Sequence, residues 1–239
     1  MRRISIGWLV LLLAWLGAGV PIATVQAQGY PGGAGGRPGL GQSGGATSGD
    51  EGQSVAAVRP DAAATKAFNA GVKSLRRAHE LEEVAGKASN ADKKAGAMDK
   101  VGDAYSRALD QFTEALSNRG DMVEAWNDVG YVHLRLGAYG ESIDDYNHAL
   151  ALKADLLEAV EHRAEAYMAV DRLEEAKVAY MNLFNHARPL ADQLMVSMQT
   201  WLQSHRGAAI GMRVAEIDSF GKWLQERDGI AKQTASIPR

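Results

Sequence analysis

Residues 123–188 repeat with a period of 34, and this period constrains the fold more than any other feature of the chain. Trp126 falls where Val160 falls one period later. In the same way Gly130 matches Ala164, Tyr139 matches Leu173, Ser142 matches Ala176, Tyr146 matches Tyr180 and Ala149 matches Leu183. One period earlier stand Tyr105, Ala108, Phe112 and Ala115. A unit of this size cannot bury its apolar face alone, whereas stacked copies share one continuous core. The period therefore predicts helical hairpins in a row and an action by binding rather than by catalysis.

The hydrophobic spacing places the elements. Pro60-Asp61 reads as a helix start, with an acid at the positive end of the helix dipole. Ala64, Ala67, Phe68, Gly71, Leu75 and Ala78 follow at helical spacing, and this helix is expected to end near Val84. After a turn at Gly86 to Asn90, a second helix is expected from Asp92 to Ser117, burying Tyr105, Ala108, Leu109, Phe112, Ala115 and Leu116. Asn118 to Asp121 ends it. The next two pairs are Met122–Leu136 with Tyr139–Leu152, and Ala154–Val170 with Leu173–Ala187. Their turns are Gly137-Ala138 and Asp171-Arg172. Pro189 marks a new start, followed by helices at Leu190–His205 and Val214–Arg227 around a loop from Gly207 to Gly211, with fraying expected from Lys232 to Arg239.

These residues resemble the tetratricopeptide repeat family. The clearest unit reads Ala125-Trp126-Asn127-Asp128-Val129-Gly130, then Gly137, Tyr139, Ser142, Tyr146, Ala149 and Leu150. The next keeps Ala164, Tyr167, Ala176 and Tyr180. In the first unit Phe68, Ala70 and Gly71 fit, but that hairpin is longer than the period, so an extension falls between Val84 and Gly102. The chain departs from the family pattern at Ala154, where a proline is usual, and at His133, where a tyrosine is common. The resemblance implies an all-α fold: a short right-handed α-solenoid of about three hairpins over residues 61–188, with a capping helix pair and frayed tail over 189–239.

The first 27 residues have the layout of a cleaved secretory signal. Arg2 and Arg3 precede an apolar run of about 17 residues, Pro21 interrupts it, and Val25-Gln26-Ala27 offers small residues for cleavage after Ala27. The alternative is an uncleaved anchor, for which the run is short. A periplasmic or secreted location is expected, with membrane contact only through this segment. Residues 28–60 form a glycine-rich linker, with eleven glycines between Gly29 and Gly52 and too few large apolar residues to form a core.

The charge is −3, and removal of Arg2 and Arg3 with the signal leaves −5, so the basic excess of a nucleic-acid binder is missing. The chain has no cysteine, which removes disulfides, zinc–thiolate sites and thiol nucleophiles. No HExxH, nucleophile-elbow or phosphate-loop motif occurs, so no catalytic residue, metal or cofactor is assigned.

Members of the resembled family bind peptides in a concave groove lined by the first helix of each pair. Carried over by position, the groove residues are Glu124, Asn127, Tyr131, Leu134 and Arg135, then Glu158, Glu161, His162, Glu165 and Met168, with Thr65, Asn69, Val72 and Arg76 from the first unit. Glutamates stand where the family's carboxylate clamp needs lysine and asparagine. The expected partner is thus a protein or peptide with a basic or amide-rich segment. Asp144-Asp145 and Glu174-Glu175 read as solvated surface, and Trp126, Trp201 and Trp223 as packing residues. Two other roles remain open: self-assembly through the C-terminal helices, each of which carries Trp-Leu-Gln, and a metal or small-ligand carrier around His162.

Overall fold

The computed structural model describes residues 60–206 and 212–235. The expected signal, most of the glycine-rich segment, the Gly207–Gly211 loop and the last four residues lie outside the described residues. The described chain is all-helical. Its elements are α1 (Pro60–Gly86), α2 (Ala91–Asn118), α3 (Val123–Leu136), α4 (Tyr139–Leu152), α5 (Leu157–Ala169), α6 (Leu173–His186), α7 (Arg188–Arg206) and α8 (Met212–Ala235). Helices adjacent in sequence pack on each other throughout, most extensively α1 on α2, and α3 also meets α5 while α5 meets α7.

The period appears as a recurring packing contact. Phe112, Tyr146 and Tyr180 are fully buried on α2, α4 and α6. Under the first two rings lie glycines. A Cβ on Gly71 would sit 2.5 Å from two Phe112 ring carbons, and one on Gly130 would sit 3.0 Å from Tyr146. Ala164 takes the corresponding place in the third pair and is likewise fully buried. Small residues here let two backbones approach closely enough for one ring to fill the space between them. Ser142 adds a bond across the same seam, its Oγ donating to the Gly130 carbonyl at 2.8 Å.

Sixteen positions separate Gly130 from Tyr146, but forty-one separate Gly71 from Phe112. The additional residues prolong α1 and α2 beyond the other pairs, where the extension was expected. Leu81, Val101, Ala104 and Tyr105 bury the prolonged part. Asn90 caps its second helix, accepting from the Lys93 N–H at 2.8 Å.

The turns repeat as well. Gly137 ends α3 in the left-handed region, at φ 79°, and the Ala138 N–H donates to the His133 carbonyl at 2.9 Å. One period later Asp171 takes the same conformation at φ 61°, and the Arg172 N–H donates to the Tyr167 carbonyl at 2.8 Å. Aspartate tolerates this region better than most side chains do.

Two boundaries differ from expectation. α5 begins at Leu157, so Ala154 belongs to the turn; the period itself demands this, because Leu157 lies one repeat after Val123, where α3 begins. α8 continues to Ala235 through the stretch where fraying was expected. Arg188, at the start of α7, holds that end: its guanidinium donates to the Ala231 carbonyl at 2.6 Å and to Thr234 Oγ1 at 3.1 Å. Trp201, Phe220 and Leu224 are buried between α7 and α8, and Trp223 packs edge-on against Tyr180 at 5.4 Å, so these tryptophans serve packing.

Two glycine substitutions test the seam. Gly71→Ala is expected to destabilise the fold by about 1–3 kcal/mol, since the new methyl has no room beside Phe112. Gly96→Ala, whose added Cβ meets nothing within 4 Å, is expected to stabilise it by about 0.5–1 kcal/mol through helix propensity. Urea midpoints at constant slope read both; shifts of the same sign would remove the close-approach argument.

Candidate functional site

The repeat places the same positions of α3 and α5 one helix apart: Glu124 with Glu158, Asn127 with Glu161, Asp128 with His162, and Tyr131 with Glu165. Glu124 and Glu158 are exposed. Asn127, Asp128, Tyr131, His162 and Glu165 are half-buried, and Glu161 is only 7% exposed. The expected groove residues of these two helices thus converge, but as a layered cluster with exposed acids outside and buried polar groups beneath.

Tyr131 is the centre. Its hydroxyl lies 3.1 Å from His79 Nε2 on α1, and its ring meets His79 edge-on at 5.7 Å and His162 at 5.3 Å. On the α1–α2 side, Glu82 receives both the Tyr105 hydroxyl, at 2.9 Å, and the Arg135 guanidinium. Arg135 also lies over the Tyr105 ring at 5.9 Å. This ion pair is largely withdrawn from water, so its partners satisfy each other rather than solvent. Burial lowers the His79 pKa and leaves that ring neutral near pH 7.

The other side of Tyr131 is acidic. Glu161 Oε2 lies 3.3 Å from His162 Nε2, and Glu165 accepts from Ser197 Oγ on α7 at 2.7 Å. Burial, reinforced by the charge of Glu165, pushes the Glu161 carboxyl up to about 9. Burial likewise lifts Asp128 to about 6, against the bond it accepts from the Asn127 amide at 3.2 Å. The His162 pKa is lowered by burial in spite of Glu165 and Glu158 nearby. Beneath these groups the Tyr146 ring is stacked 6.1 Å from His162. Its hydroxyl, with the charges of Glu165, Glu161 and Asp128 around it, is held protonated first by burial and then by those charges.

Several expected placements are corrected. Leu134 and Met168 are core residues, not groove residues: each packs with Ile143 or Val160 in the larger apolar cluster. Val72 packs into the α1–α3 core, whereas Thr65, Asn69 and Arg76 are exposed on α1 and their placement is not overturned. Asp145 is not solvated: at 8% exposure it faces α3 and lies 2.6 Å from His133 Nδ1. Burial raises the Asp145 carboxyl and the His133 bond pulls it back. Its neighbour Asp144 is exposed, as is Glu174, while Glu175 is half-buried.

Sequence reasoning missed His79, Glu82, Tyr105, Asp128, Tyr146 and Ser197 as members of the cluster. The period held a signal for Asp128, which stands one repeat before His162. Glu82 and His79 sit in the α1 extension, which has no counterpart in the other pairs.

Comparison with models of known families and with curated proteins returned no match. Among the described residues no group of three histidine or acidic side chains is arranged to hold a metal ion, and no helix is long and apolar enough to cross a membrane.

Glu161 sets a pH prediction. Its folded pKa of about 9 lies above the ordinary 4.5, so the folded chain binds more protons between these values, and stability falls as pH rises through that window. Glu161→Gln is expected to remove this slope and to raise stability at pH 8 by about 1–3 kcal/mol. Unfolding at pH 5 and pH 8 in both chains checks it; equal pH slopes would refute the buried, proton-holding carboxyl.

Proposed function

We propose that this chain is a non-catalytic interaction module: a short right-handed solenoid of tetratricopeptide-like hairpins, exported to the bacterial cell envelope, that binds a basic or amide-rich segment of a partner protein. The layout of the first 27 residues supports export, and the 34-residue period and its resemblance support the solenoid. The observation that carries the binding reading is the acidic surface of α3 and α5. Glu124 and Glu158 form an exposed rim, with Asp128 and Glu165 half-buried behind them. Arg135, the cation nearest this face, is taken up by Glu82. A face of this sign attracts basic segments and repels acidic ones, which favours specificity and fast encounter.

Photo-crosslinking in cells tests the reading, with the probe at Glu158 and a control probe at Asp144 on α4. Both positions are exposed. One dominant protein adduct is expected from Glu158 alone, and its yield is expected to fall at least tenfold with Glu124→Lys and Glu165→Lys combined. Equal adducts from Asp144, or a yield that survives the charge reversal, would refute the groove assignment. Adducts only to the same chain would favour self-assembly.

A further inference from the structure

The cluster between α3, α4 and α5 has many hydrogen-bond acceptors and no cation of its own. From α3 it is faced by Asp128 and Tyr131, from α4 by Tyr146, and from α5 itself by Glu158, Glu161, His162 and Glu165. From α7 the contact is Ser197, whose hydroxyl is already given to Glu165. α6 meets α5 on the opposite side, along a cleft lined by Val160, Arg163 and Tyr167 with Glu174 and Glu175. Arg163 donates to Asn147 there, and Arg135 is engaged by Glu82.

Three polar atoms in this cluster are buried without a hydrogen-bond partner: Asn127 Oδ1, Tyr146 Oη and His162 Nδ1. The Tyr146 side chain is 0% exposed, its ring is stacked 6.1 Å from that of His162, and Glu165, Tyr131, Glu161 and Asp128 all act electrostatically on its hydroxyl. Buried polar atoms are rarely left unpaired, because each forfeits its bond to water. Here the unpaired atoms coincide with an acidic cluster that contains no cation, and a positively charged donor would serve both.

The geometry points to a subsite for one guanidinium group, an arginine of the partner segment, with Glu161 and Glu165 as its carboxylates, Tyr146 Oη at its floor and the rings of Tyr131 and His162 as its walls. This inference rests on the binding-module reading. A planar guanidinium suits the site because it can bond two carboxylates in its plane while lying against a ring face; an ammonium supplies charge without that shape. The chain contains a precedent one level earlier. Arg135 is held by Glu82 and lies over the Tyr105 ring. The period that puts Arg135 on α3 puts Ala169 on α5, so the next level lacks an arginine from within. Neutral His162, with Nε2 turned to Glu161, keeps Nδ1 as a further acceptor.

Burial keeps a proton on Glu161 up to about pH 9. An arriving cation favours the carboxylate, so binding expels that proton, and affinity rises with pH toward the limit of tenfold per unit.

The test is an NMR titration of the full chain with N-acetylarginine methylamide and with its uncharged citrulline and its lysine counterparts, at pH 6.5, 7.5 and 8.5. The His162 ring resonances are expected to shift saturably with the arginine probe, with Kd falling three- to tenfold per pH unit. The citrulline and lysine probes are expected to bind at least tenfold and threefold more weakly, respectively. Glu161→Gln is expected to fold and to lose the pH slope; the probe comparison on the unaltered chain needs no variant. Equal binding of arginine and citrulline, or of arginine and lysine, overturns the subsite, as does a pH-independent Kd. A Glu158 crosslink that persists without any arginine preference removes the subsite but leaves the binding-module reading standing, whereas arginine binding without a crosslinked partner does the reverse.

Discussion

Phe112, Tyr146 and Tyr180 each stand on a residue with no side chain to speak of, and the spacing of the helices depends on those contacts. Gly71 leaves no room for a methyl group and Gly130 only a tight fit, so α1 and α2, and α3 and α4, approach until a ring closes the gap. Replacing the small residue would push the backbones apart and also withdraw Ser142 from the Gly130 carbonyl. The contact has a functional side. A tyrosine in this slot, unlike the phenylalanine of the first pair, adds a buried hydroxyl on which Glu165, Glu161 and Asp128 act electrostatically. The ring that sets the helix spacing thus ends in the acidic cluster.

The prolonged first pair shapes the other boundary of that cluster. Without the additional turns of α1, neither His79 nor Glu82 would reach Tyr131 and Arg135. Glu82 holds the Arg135 guanidinium beside α1 and α2, and the Tyr105 hydroxyl donates to the same carboxylate. The two sides of Tyr131 therefore differ in charge: an ion pair between Arg135 and Glu82 lies on one side, and the acids of α3 and α5 lie on the other.

Much of the architecture was legible in the sequence because a period acts on many residues at once. All eight helices were expected, and every seam aromatic was identified by matching positions one repeat apart. What failed was local. Helical spacing assigns a residue to a face but not to a depth, and on short helices packed on two sides the face nominally open to ligand is partly covered. Leu134 and Met168 lie at positions carried over as groove yet are buried by α4 and α6 or α7. Asp145 reads as one of two adjacent surface acids, and only the three-dimensional position of His133 reveals why one of them turns inward. His79 and Glu82 were invisible for a different reason: they come from the one segment that does not repeat, so no register related them to Tyr131.

Glu161 shows why stability and binding should be considered together at such a site. A carboxyl at 7% exposure, beside a second carboxyl and a neutral imidazole, is poorly suited to a fold that needs only to persist. Its burial penalises the charged form, and its nearest neighbours add repulsion or nothing. A glutamine of the same shape would avoid that cost. Because desolvation strengthens electrostatic interactions as well as penalising isolated charge, the same burial makes the carboxyl a stronger partner for a cation that reaches it. The exposed glutamates at 124 and 158 act differently: screened by solvent, they attract at a distance and hold weakly. In the proposed binding module, this layering assigns encounter to the exposed rim and discrimination to the buried groups beneath it.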